Sequence, residues 1–399
     1  MKLFYTIRVK NTSVFLYIKF KSFGGAMKSM AIRNISFFDG EEIRFNKNII
    51  IRKKNITISE TIPNEDNIKI IDGSTYIAIP SLPLIKENVF DIFSYRYLHN
   101  FSDDFILNGE LFDKLPYNYL EVAAEILAEK MILNGDYFLF MNHLCYNMIK
   151  SSLMTVSMRL KNATIKSSLS YLYNDVHPEQ KMVAEKENSS YKEYVGNLKD
   201  PYLFHHDGYY LNKKHTLEDS KVIYLRFPAS TTLKIEDFIF PEDMEKTFII
   251  KFEDSSLYIS NYIKKPNIYY IIEDDVFSNP SISNFVFSQI DSKVDSHFII
   301  ANGFQSYGLL NSILKISNLT KDVRVLNLLK NQLIILPQFI YDITERKLGY
   351  IKNDFEANLL LLETKSFSIQ SFDDLLDLIF IKYLSSGIPS LRIIEGEII

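Results

Sequence analysis

The chain has 399 residues, of which 47% are hydrophobic and 24% charged, and its formal net charge is −4. No apolar run reaches the roughly 18 residues that a membrane-spanning helix requires, and charges of both signs leave no basic stripe for a nucleic acid. The single cysteine, Cys145, excludes an intrachain disulfide and favours a cytoplasmic location.

Residues 1–30 are basic and partly alternating, and Lys19 and Lys21 interrupt the apolar centre that a signal peptide needs. We predict an extension that is poorly ordered, or that precedes the true start of the protein near Met27 or Met30. A basic arm on a membrane surface is the alternative. Residues 31–79 follow with short alternating runs and two Asp-Gly turns, at Asp39 and Asp72, which predict a small antiparallel sheet.

From residue 80 the pattern changes to alternating strands and helices. Apolar residues on one helical face predict a helix that ends at Gly135, and a short buried strand starts at Tyr137. Further strands are predicted from Lys221, Thr247, Ile268 and His297, and a helix over 306–317. Residues 160–200 are polar and are predicted as connecting loops. Residues 359–363 and 391–399 return to strands, with no long helix predicted between them.

This order predicts an α/β fold whose centre, residues 80–344, matches the roughly 250 residues of a (β/α)8 TIM-type barrel. An open doubly wound sheet is the alternative. No G-x-G-x-x-G motif follows the first strand, so the dinucleotide fingerprint of that alternative is absent.

Several motifs together resemble the amidohydrolase superfamily, in its cytosine deaminase and chlorohydrolase-like branch. They are residues 34–40 (NISFFDG), 48–56 (NIIIRKKNI), 71–82 (IDGSTYIAIPSL), 349–363 (GYIKNDFEANLLLLE) and 392–399 (RIIEGEII). The resemblance implies that residues 31–79 and 345–399 form a composite β-sandwich domain from both chain ends, beside the barrel. It also implies hydrolysis of C–N bonds other than peptide bonds, in cyclic amides or amidines.

The family holds a divalent metal, usually zinc or iron, at the barrel mouth, where it acidifies water. The family motifs correspond to residues 80–88, 223–227, 248–252 and 300–303 of this sequence. At each position where the family has a metal ligand, this sequence has a residue type that binds metals poorly or not at all. The ligand-equivalent positions are Lys86, Asn88, Tyr224, Lys251 and Asn302, and the proton-shuttle position is Phe227. We therefore predict that the metal and any other cofactor are absent.

Other polar groups are weaker candidates. His206 and Tyr209 fit a substrate-binding turn of the family and are predicted to bind a ligand. A new metal site from His205, His206, Asp207 and His215 is an alternative, but adjacent histidines diverge in a strand. His143 beside Cys145 could form a nucleophile pair, although core packing explains it more simply. Three carboxylates at 273–275 are read as a solvated rim, with acid–base chemistry as the alternative.

The resemblance leads us to expect an amidohydrolase-like protein that has lost the metal ligands, is inactive as a hydrolase, and acts as a ligand-binding or partner subunit. An active hydrolase or deaminase with altered or metal-free chemistry is the alternative, and a purely structural interaction protein is a third hypothesis. The expected partners are a small molecule in the barrel mouth and a second copy or another subunit, with no nucleic acid and no membrane.

Overall fold

A computed structural model describes most of the chain. Its strands form two large sheets and a separate two-stranded hairpin. It describes residues 5–9, 12–16, 29–64, 68–86, 117–143, 149–174, 186, 189–197, 200–210, 220–227, 234, 245–252, 262, 265–291, 297–303, 308–365, 367–386 and 390–399. Strands β1 (Tyr5–Val9) and β2 (Thr12–Leu16) form the antiparallel hairpin.

The first large sheet takes strands from both chain ends. The strands are β3 (Met30–Phe38), β4 (Ile43–Arg52), β5 (Asn55–Ser59), β6 (Lys69–Asp72), β7 (Tyr76–Pro80), β17 (Leu359–Glu363), β18 (Leu391–Ile394) and β19 (Glu397–Ile398). Their order in the sheet is β19-β18-β17-β7-β3-β4-β5, with β6 beside β3. Alternating apolar residues of these strands bury a core of their own, which includes Ile32, Ile49 and Leu361. The strands form one connected mixed sheet.

The second sheet is entirely parallel. It contains β8 (Pro83–Lys86), β9 (Phe138–His143), β10 (Lys166–Asn174), β11 (Leu203–His205), β12 (Asp207–Tyr210), β13 (Val222–Phe227), β14 (Thr247–Phe252), β15 (Ile268–Glu273) and β16 (Phe298–Ala301). Its order follows the chain from β8 to β16, and β11 and β12 pair with successive parts of β10. These nine strands therefore occupy eight positions of a parallel sheet.

The two outer strands of this sheet approach each other. The backbone N–H of Asn302, just after β16, donates to the Ile85 carbonyl of β8 at 2.8 Å. Earlier in β16, the fully buried side chain of Gln332 hydrogen-bonds to the backbone edge that does not pair with β15. It accepts from the Ile300 N–H at 3.0 Å and donates to the Phe298 carbonyl at 2.7 Å. A side-chain amide thus satisfies backbone groups that a neighbouring strand would otherwise pair.

Five helices lie in the α/β region, among the described residues, and a sixth lies between β17 and β18 of the composite sheet. They are α1 (Tyr117–Asn134), α2 (Ile149–Asn162), α3 (Pro280–Asp291), α4 (Leu309–Thr320), α5 (Val325–Thr344) and α6 (Phe372–Ser386), and residues 189–197 are also helical. In α5, Phe339 packs edge-on against Phe140 of β9 and Tyr269 of β15, at ring-centroid distances of 5.5 and 5.1 Å. Phe339 near the end of α5 therefore contacts the face of the parallel sheet that carries Phe140 and Tyr269. In the part of the chain described, no helix is long and apolar enough to cross a membrane.

Three local predictions were wrong. Residues 160–200 include strand β10 and the helical residues 189–197 and are not only loops. Helix α6 lies between the strands at 359–363 and 391–394, where no long helix was predicted. The sheet formed by residues 31–79 is mixed and not purely antiparallel, because β6 and β7 each pair with β3 in parallel.

Candidate functional site

The interior face of the parallel sheet can be identified from contacts across it. Phe140 on β9 lies 6.3 Å from the ring of Tyr224 on β13, although β10 and β12 separate their strands. Residues paired in register on parallel strands share a face, and successive residues alternate. The face that carries Phe140 and Tyr224 is therefore the interior.

His206 lies on this interior face. Its ring stacks on Phe140 at 4.2 Å with an interplanar angle of 20°, and its Nδ1 is hydrogen-bonded to Ser168 Oγ at 2.9 Å. Burial lowers the pKa of His206 well below its usual value, and neighbouring His205 lowers it further. The imidazole is therefore neutral at physiological pH and lies buried inside the sheet.

Above Tyr224, the strands end in charged residues. Arg226 and Lys251 are paired in register on β13 and β14, two residues beyond Tyr224 and Ile249, so they share the interior face. Both are buried, at 9% and 5% exposure. Lys251 Nζ forms an ion pair with Glu273 Oε1 of β15 at 2.8 Å. The carboxyl ends of these three strands thus carry two cations and one carboxylate.

Lys86 and Asn302 lie together but apart from that group. Lys86 is paired with Met141, one residue beyond the Ile85–Phe140 pair, and so belongs to the other face. Its Nζ donates to the Gly303 carbonyl at 3.2 Å. Asn302 Nδ2 donates to Ser312 Oγ of α4 at 2.7 Å and to the Gly308 carbonyl at 2.9 Å. The structure thus brings Tyr224 close to Lys251, and Lys86 close to Asn302, but separates the two pairs.

The remaining predicted site residues divide as follows. Phe227 is buried and is paired with Phe252, on the face opposite to Tyr224. Tyr209 is paired with Leu225 and faces away from His206. Asn88, His215 and Cys145 lie outside the described residues, as does the side chain of His143, which ends β9.

His205 and Asp207 form a separate polar cluster on the outer face. His205 Nε2 lies 2.9 Å from Asp207 Oδ1, and Lys192 Nζ lies 3.1 Å from Asp207 Oδ2. Ser220 also donates to Asp207. Burial alone would raise the pKa of Asp207, but His205 and Lys192 outweigh burial and hold the pKa below its usual value. The side chains of the adjacent residues His205 and His206 therefore lie on opposite faces of the sheet.

The acidic triplet is likewise divided. Glu273 belongs to the interior group with Lys251. Asp274 is fully buried and accepts from Ser312, and Lys315 Nζ lies 2.8 Å from its Oδ1 and 2.5 Å from Asp275 Oδ1. The structure therefore pairs these carboxylates with lysines.

Sequence reasoning missed Arg226 and Ser168. Arg226 could have been found, because strand alternation places it on the same face as Tyr224. Ser168 carried no signal, since its strand was read as a loop.

The interior residues at these strand ends do not fit a divalent cation. A metal ligand set needs neutral imidazoles and carboxylates, whereas Lys251 is an ion-paired ammonium with the Arg226 guanidinium beside it. Among the residues that the structure describes, no group of three or more His, Cys, Asp or Glu side chains could hold a metal.

Known proteins resemble the chain in structure but not in sequence. No protein-family model and no curated protein sequence matches it. It is similar to a guanine deaminase from C. acetobutylicum with bound guanine (TM-score 0.61, 10% identity, 93% of this chain and 99% of that chain). It is also similar to an aminofutalosine deaminase from Helicobacter pylori (TM-score 0.63, 12% identity, 94% and 100%) and to a triazine hydrolase variant (TM-score 0.59, 11% identity, 93% and 94%). The predicted likeness to the amidohydrolase superfamily is thus confirmed at the level of the fold.

Proposed function

We propose that this chain, an amidohydrolase-fold protein, closes its parallel sheet into a barrel and binds a small planar molecule at the carboxyl ends of the strands. One observation carries the proposal: the neutral His206 stacks on Phe140 beside Tyr224, below the charged group of Arg226, Lys251 and Glu273. Aromatic walls with a few convergent polar groups are typical of ligand sites at the mouths of such barrels.

We also propose that this binding uses no divalent metal at the interior strand ends. At these strand ends the described side chains are an ammonium, a guanidinium and one carboxylate, and ammonium and guanidinium groups have no lone pair with which to ligate a cation. Without a metal to acidify water, the hydrolysis typical of the family has no activated nucleophile. The proposed activity is therefore recognition of a ligand, on its own or as a subunit of a larger assembly.

The structural neighbours suggest which ligands to test first. Their names include guanine deaminase with bound guanine and triazine hydrolase. Both names refer to planar nitrogen heterocycles, which would stack on an aromatic and imidazole surface. We therefore propose a planar heterocycle as the ligand.

Calorimetric titration with a panel of purines and triazines tests this proposal. At least one compound should bind, and His206→Leu should weaken that binding about tenfold, because it removes a stacking and hydrogen-bonding surface. His297→Leu is the matched control, since His297 also stacks on a tyrosine, Tyr269, at 5.0 Å, but lies before β16 at the opposite end of the strands. Equal losses in both variants would contradict the proposal.

An active hydrolase with metal-free chemistry is the second candidate. The Lys251–Glu273 pair favours it, because a carboxylate beside an ammonium can transfer protons at a strand end. Release of ammonia from the same compounds, lost in Glu273→Gln and unaffected by chelators, would establish it. Stoichiometric zinc or iron in the purified protein, with turnover that a chelator abolishes, would refute both metal-free proposals.

A further inference from the structure

We infer that the meeting point of two tight turns forms an acid-sensitive joint, which holds the composite sheet against the parallel sheet and opens when Glu395 is protonated. The composite sheet is the first large sheet of the fold, with strands from both chain ends. The turns are Lys53–Lys54, between β4 and β5, and Glu395–Gly396, between β18 and β19. None of these residues belongs to the proposed ligand site.

The two turns touch each other and share one short segment of backbone. The Ala357 N–H donates to the Lys54 carbonyl at 2.6 Å, and the Gly396 N–H donates to the Ala357 carbonyl at 3.0 Å. A Cβ atom added to Gly396 would lie only 3.4 Å from Lys54 Cα, so glycine permits this close approach. Ala357 therefore links both turns through the backbone.

The first turn has a conformation that does not suit its residues. Lys53 and Lys54 have φ angles of 46° and 77°, in a region that residues other than glycine and asparagine rarely adopt. Two-residue hairpin turns of this kind strongly prefer Asn-Gly. A lysine at the second position destabilises the turn itself, and the contacts of its side chain offset that cost.

Those contacts extend to the parallel sheet. Lys54 Nζ donates to Glu395 Oε2 at 2.5 Å and to Tyr202 Oη at 3.0 Å. Lys166, which begins β10, lies 2.6 Å from Glu395 Oε1 and 2.7 Å from Glu356 Oε2. Both ammonium groups also lie near the Tyr202 ring, at 5.3 Å and 5.0 Å from its centroid. Glu395 thus connects a turn of the composite sheet to residues of the parallel sheet and of the segment just before β11.

The ionised form of Glu395 holds these contacts together, since its carboxylate accepts from Lys54, Lys166 and Tyr202. Burial opposes its ionisation, but these three partners outweigh burial and hold the pKa of Glu395 below its usual 4.5. Burial and Glu395 raise the pKa of Tyr202 to about 12, so the phenol remains a donor. Protonation would turn a carboxylate oxygen into a donor and leave two ammonium groups facing a neutral carboxyl.

The joint should accordingly weaken in acid. When the joint is open, Glu395 is exposed to water and titrates near its usual pKa of 4.5, whereas the closed joint holds that pKa lower. The carboxylate therefore stabilises the closed joint fully above its usual pKa. This contribution is lost as the pH falls through the lower pKa of the closed joint.

Hydrogen exchange of the full chain, followed by mass spectrometry at pH 7 and pH 4 and corrected for intrinsic exchange rates, tests the joint. Peptides over 351–360 and 391–399 report on the joint, and peptides over 247–252 and 268–273 report on the parallel sheet. We expect protection of the joint to fall about threefold at pH 4, because an exposed glutamate is mostly protonated there. Protection of the parallel sheet should not change.

Lys54→Gly separates the joint from the turn, because the two roles predict changes of opposite sign. Glycine suits a positive φ better than lysine, so a residue that serves only the turn should gain protection on substitution. We expect instead a loss of about tenfold in the joint at pH 7, since the charge-assisted hydrogen bond to Glu395 disappears. Lys53→Gly is the matched control: its side chain is exposed, and protection should stay the same or rise.

Glu395→Gln is a second test that leaves the first turn unchanged. An amide does not ionise, so the joint should be about tenfold less protected at pH 7 and lose no more at pH 4. Unchanged or increased protection in Lys54→Gly would overturn the inference, as would equal protection of the wild type at both pH values. An equal loss in the parallel sheet at pH 4 would also overturn it, because the whole chain and not the joint would then be opening.

Discussion

At the residue scale, Asp136 is a buried acid that should make stability depend on pH. It lies between α1 and β9, and its Oδ2 has no hydrogen-bond partner among the described residues. Burial raises the pKa of Asp136 to about 8, although Asn134 opposes that rise. Since the folded state holds this proton more tightly than the unfolded chain, this contribution to stability is complete below the ordinary pKa of 3.8. It is lost as the pH rises toward 8.

Asp136→Asn should therefore raise the Tm at pH 8 and leave it nearly unchanged at pH 4, because a neutral amide carries no desolvation penalty for a charge. Thermal melts between pH 4 and 8 measure this, with the exposed Asp354→Asn as a control. A variant that loses as much stability across this range as the wild type would show that Asp136 is not responsible.

The site could be predicted from the sequence only in part, and single residues show why. Tyr224 and Lys251 were assigned through the resemblance, and they share a face because the register pairs Tyr224 with Ile249, two residues before Lys251. Lys86 and Asn302 were assigned through a resemblance that fixes position only to within a residue or two. A shift of one residue transfers a side chain to the opposite face of a strand, and both residues lie on that other face.

At the scale of elements, Gln332 should be critical because it pairs the edge of β16. Replacing it with leucine leaves the buried Ile300 N–H and Phe298 carbonyl without partners, and each unsatisfied group costs about 1–3 kcal/mol. We expect Gln332→Leu to lower the free energy of unfolding by about 2–5 kcal/mol, measured by urea denaturation. Asn327→Leu, on the exposed side of the same helix, should change it by less than about 0.5 kcal/mol. Similar losses in both variants would contradict this role.

The elements that the sequence failed to predict share a physical cause. Strand β10 is rich in serine and begins with a lysine, so it reads as a loop. Inside the fold, however, Ser168 bonds to His206, and Lys166 forms ion pairs. Helix α6 did carry a signal: Ser371 and Asp374 exchange backbone–side-chain hydrogen bonds in a capping box. Strand β10 was missed because its stabilising partners are distant in the sequence. Helix α6 was missed because its local capping motif was overlooked.

At the scale of the whole molecule, a buried ion network joins the parallel sheet to the composite sheet. Lys166 of β10, 2% exposed, lies 2.6 Å from Glu395 Oε1 in the β18–β19 turn and 2.7 Å from Glu356 Oε2. Lys54 and Tyr202 also donate to Glu395. Burial alone would raise the pKa of Glu395, but Lys166, Lys54 and Tyr202 outweigh burial and lower the pKa.

Glu395→Gln should therefore destabilise the protein at neutral pH by about 3–5 kcal/mol, since it leaves Lys166 buried with one carboxylate fewer. A carboxylate with a lowered pKa stabilises the fold above its ordinary pKa of 4.5 and loses that contribution as the pH falls through its folded pKa. The deficit of the variant should thus shrink in acid. Urea denaturation at pH 7 and pH 4 tests this, with the exposed Glu60→Gln as a control, and a deficit that is constant with pH would refute it.

The composite sheet also imposes an order on biosynthesis. Strand β7 lies between β3 and β17, so one of its sides receives its partner only after the whole barrel region has been translated. A polypeptide interrupted before β17 would leave an apolar strand edge open, and such edges recruit other chains. Premature termination in this protein should consequently yield insoluble fragments that depend on chaperones, even where every barrel strand has already left the ribosome.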